Sequence, residues 1–352
     1  MSSDGLNGRK RVVNKNEDTN EDNVSRVVSQ VVSSEKPQNQ SFKNRVMSET
    51  ALSMSILVMV YYTTTQYNDT NEVVMASATQ SIRGSPIAQQ VMCSQDYNED
   101  RVRFPSCAPQ RCGRLVSDSM ITESEAKHLL SLTKRDLSLG GSTGGASFFS
   151  LYSGGLSMDT NYVNMYELIE RTQRNDEDLK ELFPEKDLEV YRTVRNRVRK
   201  TIASHFGITS GELYLTTPTT FVRITAKRPH LKYNIYYRRH VDKRAHRRLH
   251  FTSVLYLSTY GADFSGGRLI FTDEMSNTTI EPKLGRLSAL TSGTENEHFV
   301  ERVTSGTRYS LLFTFTCDPM FALIGPQIGR PKTCAQPFCL LYGVGCPSLN
   351  IK

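Results

Sequence analysis

The feature that most limits what this chain can fold into is a series of short β-forming runs between Leu213 and Pro319. They are LYLTT, TFVRIT, KYNIYY, FTSVLYLS, GRLIFT, GRLSALT, HFVERV and TRYSLLFTFT, split by turn residues. β-branched and aromatic side chains suit a pleated, half-buried surface, and regular spacing of such runs means a sandwich or barrel. About eight strands fit a double-sheet jelly roll. The expected fold is mainly β with supporting helices, a double-stranded β-helix of the cupin kind buttressed by N-terminal helices.

Two helices precede the strands. Thr122 caps the first, Glu125 can complete a capping box, and Ala126, Leu129 and Leu130 form its apolar stripe. The second runs from about Glu185 to Phe206, with Pro184 at its start and Gly207 just past its end. Tyr191, Val194, Val198 and Ile202 mark its buried face, and Arg192, Arg195, Arg197, Arg199 and Lys200 read as a solvated one. The glycine-rich stretch Gly140–Gly155 reads as a loop holding a short strand. It lacks the Gly-Lys-Ser/Thr ending of a phosphate loop and the spacing of a dinucleotide fingerprint, which excludes a nucleotide role.

Residues 1–46 are polar and aperiodic and read as a disordered tail on the cytoplasmic side. Residues 47–66 read as a signal-anchor transmembrane segment, although the apolar stretch Ala51–Tyr62 is shorter than the ~20 residues that span a bilayer comfortably. A short buried or sticky segment is the alternative. Lys43 and Arg45 precede it and no Lys or Arg follows until Arg83, so the remainder is expected in the lumen, a single-pass type II arrangement. Asn68 and Asn277 head glycosylation sequons on that side. Residues 67–115 read as a stem, 116–212 as a helical support region and 320–352 as an irregular cysteine-containing tail. The seven cysteines form no Cys-x-x-Cys pair, so no zinc ribbon is indicated; in an oxidising lumen some would pair. The net charge of +7 is modest for 352 residues, and no basic-aromatic platform for nucleic acid stands out.

Chemistry enters at His240-Val241-Asp242, where an extended chain directs His240 and Asp242 to one face. Such a triplet is common. His298 opens a later strand, and Arg308 lies ten residues on, expected on the neighbouring strand of a hairpin. Two histidines and a carboxylate leave open vertices on a metal, as in the non-haem iron(II) facial triad. A guanidinium nearby can clamp a carboxylate, which points to 2-oxoglutarate as cosubstrate. His246 and His250 are weaker ligand candidates, because histidines four apart do not converge outside a helix.

HVDK, FTSVLYLS, FSGGRLIF, EPKLGRLSALTSG, ENEH and GTRYSL, from Thr220 to Pro319, resemble the prolyl 4-hydroxylase-type branch of the 2-oxoglutarate oxygenases. A closer resemblance to an animal type II membrane subgroup adds CAPQRCGRLVSD, SLGGSTGGAS and LYSGGLS, and so extends from Cys107 to Pro319. The resemblance implies that residues 213–319 form an Fe(II)/2-oxoglutarate dioxygenase domain, an oxidoreductase that yields succinate. It implies His240, Asp242 and His298 as iron ligands, and Arg308 with Tyr256, and more weakly Thr252, as 2-oxoglutarate contacts. It further implies L-ascorbate as reductant and a protein substrate, prolyl or otherwise. A catalytically inactive cupin-like binding domain is the alternative, and a zinc hydrolase would lack an obvious general base and a use for Arg308. The basic stretch Arg238, Arg239, Lys243, Arg244, Arg247 and Arg248 reads either as steering an acidic substrate or as a solvated loop.

Overall fold

The computed structural model describes residues 38–67, 72–142, 144–159, 161–171, 183–228 and 235–323. The chain divides into two units, residues 1–69 and 70–352. In the first, α1 covers Gln38–Tyr67, so residues 38–46, expected within a structureless tail, are helical. Leu52, Met54, Ile56, Leu57 and Met59 on it are exposed. Among the described residues no helix is long and apolar enough to cross a membrane, and the expected anchor gains no support. The reason lies in the sequence: Thr63, Thr64, Thr65 and Gln66 end the apolar run too early. Asn68 and Cys334, Cys339 and Cys346 lie outside the described residues.

The second unit holds the sheets. Its strands are β1 (Glu72–Ala76), β2 (Ile87–Val91), β3 (Cys112–Ser117), β4 (Ala146–Phe149), β5 (Gly155–Met158), β6 (Asn161–Asn164) and β7 (Tyr214–Thr225). Then come β8 (Phe251–Tyr256), β9 (Phe264–Gly266), β10 (Leu269–Thr272), β11 (Asn277–Ile280), β12 (Leu287–Thr291), β13 (His298–Val300) and β14 (Val303–Thr316). The larger sheet runs β2-β3-β12-β8-β14-β7-β4-β5-β6; the smaller runs β1-β11-β10-β13; β9 pairs with the start of β14. Helices α2 (Asn98–Arg103), α3 (Glu123–Ser138), α4 (Met165–Arg171), α5 (Glu185–Phe206) and α6 (Asp242–Ala245) complete the unit. The result is the expected mainly-β jelly roll with helical support.

Alternation along the strands decides which face meets which layer. Leu255, Leu287, Ala289, Leu311 and Phe313 point to one side of the larger sheet, into a core shared with Leu129, Tyr191, Val194, Val198 and Ile202 of α3 and α5. Val116, Tyr256 and Leu290 point the other way and meet Leu269, Phe271 and Ile280 of the smaller sheet. Both helices begin where the sequence places them, and the second also ends there. Thr122 and Glu125 form the capping box, and Gly207 closes α5 at φ +70°. The basic face of α5 is not wholly solvated, since Arg197 pairs with Glu125 at 2.9 Å and Arg195 donates to the Tyr152 hydroxyl at 2.7 Å.

Several segments differ from the sequence reading. The supposed stem supplies β1, β2 and β3, and the helical region also supplies β4, β5 and β6. Arg286 explains the former. Its fully buried guanidinium grips Asp118 at 2.7 and 3.0 Å and donates to the carbonyls of Ser77, Gln80 and Glu281. LYLTT and TFVRIT merge into β7, whereas Ile235–Tyr237 is a 3-10 turn rather than a strand. Strands β13 and β14 are not a hairpin: β13 pairs with β10, and β14 with β7, β8 and β9. Disulfides join Cys93 to Cys112 and Cys107 to Cys317. Asn277 opens β11, half-buried, paired with Glu72 and Thr272.

One buried charge sits beside the helical core. Burial pushes the Asp136 carboxyl up to about 7 against the opposing charge of Arg135, and the nearby Asp187 carboxylate adds to the rise. A folded-state value above the unfolded one means that folding is most favoured below pH 3.8 at this group, and that this contribution is lost as pH rises toward 7. Asp136→Asn is therefore expected to stabilise the protein near neutral pH but not near pH 4, as thermal midpoints across that range would reveal. An equal effect at both ends would contradict the assignment.

Candidate metal centre and cosubstrate pocket

The HxD segment is held to the smaller sheet by its backbone. His240 and His298 exchange two hydrogen bonds, N–H to C=O, at 2.9 and 3.0 Å. That isolated bridge brings the two imidazoles together, with ring centroids 4.4 Å apart and planes tilted by 53°. Val241 is extended (φ −120°, ψ 122°) and buried, and Asp242 begins α6. The i/i+2 expectation thus holds in modified form: Val241 turns inward, while Asp242 returns to the side of His240. An Asp242 carboxylate oxygen lies 3.7 Å from His240 Nε2 and 4.0 Å from His298 Nε2. One ligand atom from each of the three residues falls within 4.8 Å of the others, the one such group found among the described residues.

The chain leaves these atoms ready for a cation. His240 Nδ1 lies 2.8 Å from the Arg238 carbonyl and His298 Nδ1 2.8 Å from the Asn296 carbonyl, so each Nδ1–H has an acceptor and each Nε2 is left as a lone-pair donor. Burial lowers the His298 pKa, outweighing the Asp242 charge, which favours the neutral, ligating imidazole. Asp242 Oδ2 is buried with no hydrogen-bond partner. Asn296 is itself fixed by Arg114, whose Nε donates to its side-chain oxygen at 2.7 Å. Arg114 is buried, pairs with Asp273 at 2.5 Å and lies 3.9 Å over the Phe271 ring. Sequence reasoning overlooked Arg114 and Asn296, because their partners are distant along the chain.

A second missed device braces Asp242 from the other side. Lys243, only 7% exposed, sends Nζ to Asp100 at 2.6 Å and to the Arg247 and Leu249 carbonyls. Its own N–H donates to the Ser292 carbonyl at 2.8 Å. Burial would push the Asp100 carboxyl up, but His250 and Lys243 outweigh it and hold it at about 2. His250 is thus spent: Nε2 lies 3.1 Å from Asp100, and Nδ1 accepts the Cys317 N–H. Burial also lowers the His246 pKa, and neither His246 nor His250 joins the metal-binding group.

Arg308 projects between the sheets, on the inward side of β14 with Ser310. It is 3% exposed; Nε donates to the Gly267 carbonyl at 2.9 Å and an Nη donates to the Ser310 hydroxyl at 3.1 Å. Gly267 must be glycine. Its φ is +69°, and a Cβ there would lie 3.0 Å from Arg308 Cδ. Tyr256 stacks beneath the guanidinium, 5.3 Å from Cζ to ring centre, and its hydroxyl meets Ser288 at 3.2 Å. Burial lowers the Arg308 pKa, and among the described residues no carboxylate pairs with it. A buried guanidinium without an anion suits an incoming carboxylate. Thr252 is not beside it. Tyr256 is level with Ser310, whereas Thr252 is level with Thr314 and its hydroxyl meets Ser292 at 3.0 Å.

A jelly roll with two histidines and one aspartate at a strand edge, and a buried arginine between its sheets that no carboxylate pairs with among the described residues, carries the ligand set of the non-haem iron oxygenases. Residues 230–316 match the 2OG-Fe(II) oxygenase superfamily. The chain is 40% identical over 277 residues to 2-oxoglutarate and iron-dependent oxygenase domain-containing protein 3 of Rattus norvegicus, covering 79% of this chain and 85% of that one. With the Homo sapiens protein of that name it shares 44% over 237 residues, 67% of this chain and 72% of the relative. A shorter match, 40% over 74 residues, is to prolyl 3-hydroxylase 2 of Gallus gallus, 20% of this chain and 10% of that protein. The chain belongs to the 2OG-Fe(II) oxygenase superfamily.

The residues present fit the superfamily's iron(II) and 2-oxoglutarate: two imidazoles and a carboxylate with unshared ligand atoms, and a buried cation without a counter-charge. If Lys243 and Asp100 position Asp242, Asp100→Asn should weaken Mn(II) binding roughly 10-fold with the two imidazole ligands intact, measured by metal titration. Unchanged affinity would remove the brace from the account.

Proposed function

We propose that this chain is a catalytically active dioxygenase that couples conversion of 2-oxoglutarate to succinate and carbon dioxide with hydroxylation of a protein side chain. The observation that carries the reading is the pairing of His240, Asp242 and His298 with an unpaired, buried Arg308. Iron(II), held by the first three, would supply the oxidising chemistry at dioxygen. The protein's own task is orientation. Arg308 receives the distal carboxylate of 2-oxoglutarate, kept planar and aimed by the Gly267 carbonyl and the Ser310 hydroxyl. Tyr256 provides the floor and excludes water from that end of the pocket. Nδ1 contacts with the Arg238 and Asn296 carbonyls hold the two imidazoles in the ligating orientation.

A prolyl side chain is the first substrate class to examine, on the match to prolyl 3-hydroxylase 2. L-Ascorbate is proposed as the accessory reductant. An oxidising, luminal setting is proposed as well, supported by the disulfides Cys93–Cys112 and Cys107–Cys317, which cytosolic thiol pools would reduce.

Purified protein supplied with iron(II), ascorbate and 2-oxoglutarate should form succinate, and Asp242→Ala should reduce this to background. Succinate formation that survives Asp242→Ala would refute the iron assignment. Among secreted proteins, products 16 mass units heavier should depend on His240, as about a one-oxygen mass difference lost in His240→Ala.

A further inference from the structure

Strand β13 ends one side of the smaller sheet, and only part of that edge is covered. The hydrogen-bond parity shows which groups face outward. Thr272 N–H donates to the Glu297 carbonyl and Glu301 N–H to the Arg268 carbonyl, so odd-numbered residues bond to β10. Even-numbered residues face the opposite side, where His298 exchanges both its bonds with His240. Val300 is next on that side. The His240 bridge is isolated, and the chain before it turns off as the 3-10 turn Ile235–Tyr237. Val300 N–H and C=O therefore face a cavity of about 470 Å³, whose walls include Tyr237, Tyr260, Arg268, Val300, Glu301 and Arg302. An open strand edge of this kind takes an extended chain by main-chain hydrogen bonding.

The charges around this edge are unequal. Arg268 is matched by Glu72 at 2.6 Å and by Glu301 at 2.7 Å. Arg302 is exposed, lies 5.9 Å over the Tyr237 ring, and pairs with no carboxylate among the described residues. Arg238 and Arg239, immediately before His240, are exposed and likewise unpaired among the described residues. Cations without counter-charges beside a strand edge favour an anionic chain.

We propose that this cavity docks an extended acidic polypeptide segment as an added strand on the free side of β13, directly beside the two histidines. Its chain would meet Val300 through the backbone, and its carboxylates would face Arg239 and Arg302. The docking claim stands on geometry and charge; that the docked segment is the substrate rests on the oxygenase reading above. The basic run that the sequence left as either a steering patch or a solvated loop thus divides. Lys243 is structural, and the residues flanking the metal site recognise the partner.

Fluorescence anisotropy of the full chain tests this with a labelled dodecapeptide of alternating glutamate and valine. Its comparators are the lysine-for-glutamate peptide, the glutamate peptide N-methylated on alternate amides, and oligothymidylate. The glutamate peptide should bind, the lysine peptide should not, and N-methylation on the bonding edge should weaken binding roughly 10-fold or more. The double variant Arg239→Glu/Arg302→Glu should weaken it by a similar factor, with thermal midpoints recording whether the variant is folded. Equal binding of both peptides, indifference to N-methylation, or equal binding of oligothymidylate overturns the proposal. Succinate formation without peptide is read alongside. Peptide binding without succinate sinks the oxygenase reading alone, and succinate without peptide binding sinks the docking claim alone.

Discussion

Everything at the site depends on two backbone hydrogen bonds, those between His240 and His298. The histidines lie 58 positions apart and belong to different parts of the fold, one before the larger sheet's β8 and one on the smaller sheet's edge. Side chains alone would not hold two imidazoles at ligating distance, since each would keep its rotamer freedom. The bridge fixes both Cα positions, and the two Nδ1 contacts with backbone carbonyls then fix both rings. With the extended Val241 between His240 and Asp242, the aspartate returns to the side of the histidines.

The pocket behind the site follows from strand alternation. On the larger sheet the side facing the helices carries leucine and phenylalanine, and the side facing the smaller sheet carries Thr252, Tyr256, Ser288, Arg308, Ser310 and Thr314 among its apolar residues. A jelly roll built only for stability would fill that space with hydrocarbon. Here hydroxyls and buried guanidinium groups occupy part of it; Arg114 and Arg286 are matched by Asp273 and Asp118 while Arg308 is not, and hydroxyls find neighbours, as Thr252 does in Ser292 and Tyr256 in Ser288. The N-terminal strands close the arrangement. Arg286 and the disulfide-linked segment carrying Asp100 tie them to the sheets, and Asp100 reaches the metal site through Lys243.

The sequence made much of this legible because local rules governed it. The capping box at Thr122, the glycine stop at Gly207 and the strands in FTSVLYLS and TRYSLLFTFT appear as read. So does the convergence of His240, Asp242 and His298. What stayed hidden was non-local. Nothing near Glu72 or Ile87 announces that β1 and β2 pair with strands far along the chain, since the pairing partners β11 and β3 supply the context. NTTI in β11 and FSG in β9 are too short and polar to read as strands. The hairpin expected between His298 and Arg308 failed because the chain crosses from one sheet to the other between β13 and β14. Thr252 shares an inward face with Tyr256, yet sequence spacing does not show that four residues of strand, roughly 13 Å, carry it away from Arg308.

Arg308 and the metal ligands are expected to bind opposite ends of one cosubstrate. Calorimetric titration of Mn(II)-loaded protein tests it as a double cycle: 2-oxoglutarate against 2-oxobutyrate, which lacks the distal carboxylate, in wild type and in Arg308→Gln. Wild type should prefer 2-oxoglutarate strongly, and the preference should collapse in Arg308→Gln while 2-oxobutyrate binds both alike. An undiminished preference in the variant would place the distal carboxylate elsewhere and contradict the account.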